Sequence, residues 1–384
     1  MKVVIAPQTF KGSISALEAA KAMSEGVRRV VPDAETALVP VADGGDGTLE
    51  TLVEATGGEI RHAEVTGPLS EKVAAGWGAL GVGETAVLEM ARTSGLALVP
   101  DDKRNPLTAT TYGLGELIVA ALDAGFRRFI VGIGGSATND AGAGMAQALG
   151  IRLLDGDGNE LPVGGAALAE LDRIDVSGLD PRIARSEFAV ACDVSNPLTG
   201  PKGAAAVYGP QKGATPEMVE QLDRALKHFA EVAKRDLGAD VDDLPGAGAA
   251  GGLGGGLVAF VNGTLRAGVD IVLDAVGLDR HLEGADLVIT GEGRLDDQTV
   301  NNKAPIGVAR RAKARGIPVI AISGSLGERF TVVHEHGIDA ASAIVCAPEM
   351  TLKEATERAG ELIMSATEEA MRYMRIGTQV FGTD

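Results

Sequence analysis

Short apolar runs alternate with helix-period segments through most of this chain, and glycine-rich turns join one to the next. That alternation predicts α/β layers on a parallel sheet, because crossover helices are what cover both faces of strands apolar throughout. Residues 3–6 read as a buried first strand. Ser15 then opens a helix, with Glu18 three residues on completing a capping box. Ala16, Ala20, Met23, Val27 and Val30 keep helical spacing until Pro32. Further strands are expected over residues 36–41, 86–90, 129–133 and 187–194, and helices over 112–124 and 140–149. Pro216, behind the cap Thr215, starts a charged amphipathic helix that runs to about Leu237. Residues 240–256 read as a loop. Regular alternation returns from Ala285, with strands at 287–290, 318–323 and 343–346, a helix at 305–315 and one long helix at 351–374. The two chain ends thus form one doubly wound lobe with the middle inserted.

Composition narrows the function classes. The 384 residues suffice for two lobes, and 45% are apolar, so a sizeable interior is expected. The 53 glycines cluster at the strand-to-helix turns, where they let backbone N–H groups approach a ligand. A net charge of −18 repels phosphate backbones and anionic lipid, which argues against nucleic-acid and membrane partners. The two cysteines, Cys192 and Cys346, form no metal or redox motif and suit a reducing cytoplasm. The apolar run near the start breaks at Pro7, unlike a signal peptide, so a soluble cytoplasmic protein is expected.

Several turns carry groups suited to phosphate chemistry. Phe10-Lys11-Gly12-Ser13 precedes a helix N-terminus, a natural anion site, and Lys11 adds a point charge. In Asp43-Gly44-Gly45-Asp46, the second aspartate suits a helix cap, and Asp43, further out, is the better candidate for metal or proton work. Gly134, Gly135, Ser136, Thr138 and Asn139 make a turn of glycine and hydroxyl, with Asp140 as its cap. Asp193 ends a strand, where open α/β sheets place ligand groups, and Lys212 follows in a second glycine turn. Residues 246–256 serve equally as a ligand-facing loop or a flexible crossing. Glu292, Arg294 and Asp296, with Lys303 ahead of a helix, combine carboxylates and cations after another strand. No P-loop motif occurs, and neither G-x-G-x-x-G stretch has the strand and helix of a dinucleotide fold. His62, His228, His281, His334 and His336 lie outside these turns, which disfavours a serine hydrolase or a histidine-based dehydrogenase. Phosphoryl transfer needs no histidine. Composition points to phosphate without choosing a kinase.

The choice comes from resemblance. The segments APQTFKGSISALEAA, PVADGGDGT, RNPLTATTYGLGELI, GIGGSATNDAGAG, CDVSNPLTGPKGAAAVYGPQKGA, GAAGGLGGGLVAF and DLVITGEGRLDDQT with KAPIGVA resemble, in order, successive blocks of the bacterial class I glycerate kinases. The resemblance implies transfer of the ATP γ-phosphate to D-glycerate with Mg2+, most simply giving 2-phosphoglycerate. It also implies a flavodoxin-like lobe from residues 1–68 and 280–384, an inserted α/β lobe from 69–279, and an active site in the cleft between them. On that basis Asp193, Asp43 and Lys11 are the catalytic candidates. Ser13, Lys212, Arg294 and Lys303 are candidates for substrate and phosphate, Gly134, Gly135, Ser136, Thr138 and Asn139 for nucleotide, and Glu292 and Asp296 for metal. Four positions depart from the family pattern: Gln8-Thr9 replaces Asp-Ser, and Ala141 and Asn302 replace glycines. Two other readings stay open, a kinase giving 3-phosphoglycerate and a non-catalytic sensor of a phosphorylated sugar acid.

Overall fold

A computed structural model describes residues 1–45, 47–344 and 350–382. Two compact units emerge. The first holds Met1–Asp43, Glu50–Thr56 and Val269–Asp384, and the second Gly44–Leu49 and Gly57–Gly268.

The first unit is built on a five-stranded parallel sheet. Its spatial order is Ala340–Ala343, Val319–Ser323, Leu287–Gly291, Lys2–Pro7, Glu35–Leu38. Numbered along the chain this is 2-1-3-4-5 read from the last strand inward, the flavodoxin-like order. The central strands are buried on both faces, so Val3, Ile5, Leu287, Ile289 and Ile322 form one core with helix Ala16–Val30. That helix starts as its sequence requires: the Glu18 N–H donates to the Ser15 hydroxyl at 3.2 Å, and the Ser15 N–H donates back to the Glu18 carboxylate at 3.1 Å. It packs closely on helix Ala359–Phe381, because a Cβ at Gly26 would stand 2.5 Å from the Met364 carbonyl oxygen.

The second unit carries a six-stranded mixed sheet, ordered Thr264–Arg266, Glu187–Ala191, Arg128–Gly132, Thr85–Glu89, Lys72–Ala79, Glu59–Thr66. The first four are parallel and the last two pair antiparallel as a hairpin. Phe129 faces Phe188 across two parallel strands, with ring centroids 4.6 Å apart. Helix Pro216–Leu237 starts at its Thr215 cap and lays Leu222, Leu226 and Phe229 into the core.

Several elements differ from the sequence reading. The last strand of the first sheet is Ala340–Ala343, ahead of the expected 343–346, and Cys346 lies outside the described residues. The expected long helix is two, Leu352–Glu357 and Ala359–Phe381, joined at Arg358, where φ is −107° and helical geometry is lost. The Glu59–Thr66/Lys72–Ala79 hairpin has no apolar alternation strong enough to announce it; its first strand is exposed at five of eight positions. The end of the expected 240–256 loop is helical, because Leu253–Val261 is buried on nearly every side.

Candidate active site

In the first unit, strand order reverses between Lys2–Pro7 and Leu287–Gly291, the position where open α/β sheets bind ligands at their carboxyl ends. The Gln8 N–H donates to the Gly291 carbonyl at 2.8 Å, tying the two strand ends together, and the Gln8 Oε1 is buried with no partner among the described residues. The turn at Gly293 lies against the turn that carries Lys11: a Cβ there would stand 3.4 Å from the Lys11 nitrogen. Lys11 is exposed and makes no hydrogen bond or ion pair among the described residues. Ser13 is turned away, its hydroxyl donating to the Thr356 carbonyl at 3.1 Å.

Lys303 stands at the N-cap of helix Ala304–Lys313, and its ammonium donates to Asp43 at 2.9 Å. Asp43 is the less exposed partner, at 14% against 47%. A cation at a helix N-terminus, beside unpaired backbone N–H groups, makes a place for an anion. Glu292 accepts from the Thr299 hydroxyl at 2.9 Å. Burial pushes its carboxyl up to about 7, with Asp43 and Asp296 adding to the shift and Thr299 and Lys303 opposing it. Asp296 accepts from Arg294 at 3.0 Å and from the Gln298 N–H at 3.0 Å. Asp46 lies outside the described residues.

Among the described residues, no three His, Cys, Asp or Glu side chains gather as a metal cage. Mg2+ is commonly held by one or two carboxylates plus phosphate oxygens and water. The Glu292 and Asp296 pair therefore fits a phosphate-bridged Mg2+, and their crowding with Asp43 is a negative charge that a cation relieves.

The second unit has a different construction. A cavity of about 380 Å3 opens at the carboxyl ends of its parallel strands, lined in part by Gly134, Gly135, Ser136, Cys192 and Asp193. The N–H groups of Gly134, Gly135 and Ser136 donate to no described group. Gly135 sits at φ +71°, and a Cβ on Gly134 would meet nothing within 4 Å, so open space stands beside Gly134. Asp193 is exposed at the same cavity and accepts the Gly268 N–H at 3.0 Å.

Under this loop lies a buried ionic support. Lys212 is 1% exposed and donates to the Thr138 carbonyl at 2.6 Å. Burial drives its amine down to about 7, with the Asp140 charge opposing. Asp140, fully buried, accepts from the Thr111 N–H and hydroxyl at 2.9 and 2.8 Å and from the N–H groups of Gly142 and Gly144 at 3.2 and 3.3 Å. Burial raises its carboxyl against those bonds. The Asn139 amide and the Thr138 hydroxyl are buried with no partner among the described residues. The expected ligand groups of Thr138, Asn139 and Lys212 thus lie beneath the loop, and its backbone faces the cavity.

A larger cavity, about 680 Å3, lies in the first unit between strand Ala340–Ala343 and helix Ala359–Phe381. None of the candidate groups lines it, so size does not mark the site.

The Glycerate kinase family model matches residues 3–375. The chain belongs to the glycerate kinase family. It is 54% identical to the glycerate kinase of Bacillus subtilis over 99% of this chain and 100% of the relative. It is 52% identical to the Escherichia coli glycerate 2-kinase over 100% of both. A crystal structure assigned to glycerate kinase 2 of Salmonella typhimurium LT2 superimposes with a TM-score of 0.90 at 51% identity, covering 99% of each chain.

Membership explains two departures once the backbone is known. Ala141 and Asn302 hold φ of +51° and +57°, the left-handed region where glycine costs least. Other site features were not singled out in sequence. Thr299, which supports Glu292, and Tyr208, which lines the cavity, fall inside the motif blocks without a charge or glycine to mark them, and Leu96, also on the lining, sits in a segment with no motif. Ala249 and Ala250 also line it, which places the 246–256 turn beside this cavity.

Proposed function

We propose that this glycerate kinase family member transfers the γ-phosphoryl group of ATP to the 2-hydroxyl of D-glycerate, giving 2-phosphoglycerate and ADP. The observation that carries the reading is the unpaired N–H trio of Gly134–Ser136 lining one cavity with Asp193. Phosphoryl transfer asks for donors to the phosphate oxygens and a proton acceptor near the attacking hydroxyl, more than for covalent chemistry by the protein. In this assignment the loop cradles phosphate and Asp193 accepts the hydroxyl proton as the new O–P bond forms and the β–γ bridge bond breaks. Asp43, which accepts from the Lys303 ammonium at 2.9 Å, is the alternative acceptor.

Lys11, Arg294 and Lys303 hold the glycerate carboxylate and the transferring phosphoryl, and Lys212 supports the loop from below. Glu292 and Asp296 would hold Mg2+, which when bound neutralises charge on the phosphoryl group. Two cysteines without a metal or redox motif suit the cytoplasm. Among the described residues no helix is long and apolar enough to cross a membrane.

Phosphorus NMR of ATP, Mg2+ and D-glycerate with the protein should show the 2-phosphoglycerate doublet and ADP. The 3-phosphate instead would overturn the regiochemistry. No ADP with glycerate, while another hydroxy acid reacts, would overturn the substrate.

A further inference from the structure

The cavity beside the N–H trio has a second, apolar wall that phosphate binding does not use. It is formed by Leu96, Ile133, Val194, Tyr208, Ala249 and Ala250. We propose that this wall seats the nucleoside half of the phosphoryl donor, so that base and sugar enter the second unit while the phosphates rest on Gly134–Ser136. The identity of that ligand rests on the kinase reading.

Two observations keep the acceptor's carboxylate off this wall. None of the described lining residues is a lysine, arginine or histidine. A small hydroxy acid seated there would lose water around its carboxylate with no cation to replace it, a heavy cost for a buried charge. The exposed lysine Lys11 and the Lys303–Asp43 pair belong to the first unit. An uncharged aromatic base, by contrast, gains by leaving water for an apolar face.

The wall is also built and not incidental. The 246–252 turn that delivers Ala249 and Ala250 is fastened to the phosphate loop: the Ala141 N–H donates to the Gly251 carbonyl at 3.1 Å, and a Cβ on Gly251 would collide with the Thr138 carbonyl oxygen at 1.9 Å. The Tyr208 hydroxyl donates to the Asn196 side-chain oxygen at 2.8 Å, holding its ring in place. A volume of about 380 Å3 falls within the roughly 300–1,000 Å3 of small-molecule sites.

Cys192, on the lining, reports occupancy without turnover. In a Cys346→Ser protein it is the sole cysteine. Its labelling by N-ethylmaleimide is followed above pH 8, since burial pushes the thiol up. Saturating adenosine, which has no phosphate, should slow labelling at least about tenfold, because such sites bury most of a ligand's surface. Inorganic tripolyphosphate should leave the rate within about twofold, as a ligand that rests on the loop and does not cover this wall. Protection by tripolyphosphate as strong as that by adenosine, or none by adenosine, overturns the seat. Activity without adenosine protection sinks the seat alone, whereas protection without ADP formation sinks the kinase reading and leaves the seat standing. Val194→Trp, at an exposed lining position, provides the second measurement: it should raise the KM for ATP about tenfold and leave the KM for glycerate unchanged. Equal effects on both KM values would overturn the assignment.

Discussion

The turn after strand Leu287–Gly291 and the turn after strand Arg128–Gly132 look alike in sequence, each mixing glycine with polar residues behind an apolar run. In the folded chain they do opposite things. The first displays its charges: Glu292, Arg294 and Asp296, with Asp43 and Lys303, form a partly exposed network at the switch point of a parallel sheet. The second hides them. Asp140 and Lys212 are buried under the loop, and what the loop presents is backbone N–H. The difference teaches that a glycine turn marks where a ligand can approach, whereas burial of the neighbouring charges decides whether side chains or peptides meet it.

The largest test of that contrast is Asp193→Asn. If the backbone loop holds phosphate and Asp193 takes the proton, kcat should fall by roughly 10²–10⁴-fold with the glycerate KM little changed. Steady-state kinetics decide it, and a near-normal kcat moves the role to Asp43 in the charged turn.

Lys303→Met probes the displayed network. Losing one charged hydrogen bond to substrate is worth about 1.5–3 kcal/mol, so the glycerate KM should rise on the order of 10–150-fold. An unchanged KM would mean that Lys303 serves only Asp43.

The two turns should also give opposite pH signatures in stability. Glu292 has its folded pKa raised to about 7. The native state therefore keeps a proton that the unfolded chain releases from about pH 4.5 upward, and stability falls as pH rises towards 7. Lys212 has its folded pKa lowered to about 7. Between pH 7 and about 10 the unfolded chain holds the proton that the native state has released, so stability rises with pH there. Urea titrations of the ligand-free protein should show the acid-side slope flattened in Glu292→Gln and the alkaline-side slope flattened in Lys212→Met, each by on the order of a few kcal/mol. Slopes that survive both substitutions would place the titrating groups elsewhere.

The smallest effect tests backbone at the edge of the charged turn. Asn302 is exposed at φ +57°, a conformation that costs asparagine less than alanine. Asn302→Ala should lose about 1 kcal/mol and Asn302→Gly should be within about 0.5 kcal/mol of the parent, measured by thermal unfolding.

Much of this was readable before any coordinates. The capping box at Ser15 and Glu18, the Thr215-Pro216 helix start and the apolar central strands are local or periodic signals, and each appears in the fold. Exposed strands were not readable: in Glu59–Thr66 ladder hydrogen bonds, not a buried face, hold the pairing. The C-terminal helix break at Arg358 likewise has no proline to mark it, and Gly360, two residues on, lies inside the second helix.

The sequence by itself determined the layer class, the positions of the turns and the family, because apolar period, caps and ordered motif blocks are written residue by residue. Only the tertiary structure decided which polar groups face a ligand. Lys212 and Lys303 are both lysines near glycine turns, yet one ends 1% exposed on a carbonyl and the other stands partly exposed at a helix N-cap. Burial depends on what other segments bring over a residue. For Lys212 that includes Thr138, 74 positions away in the chain, a separation no local pattern can encode.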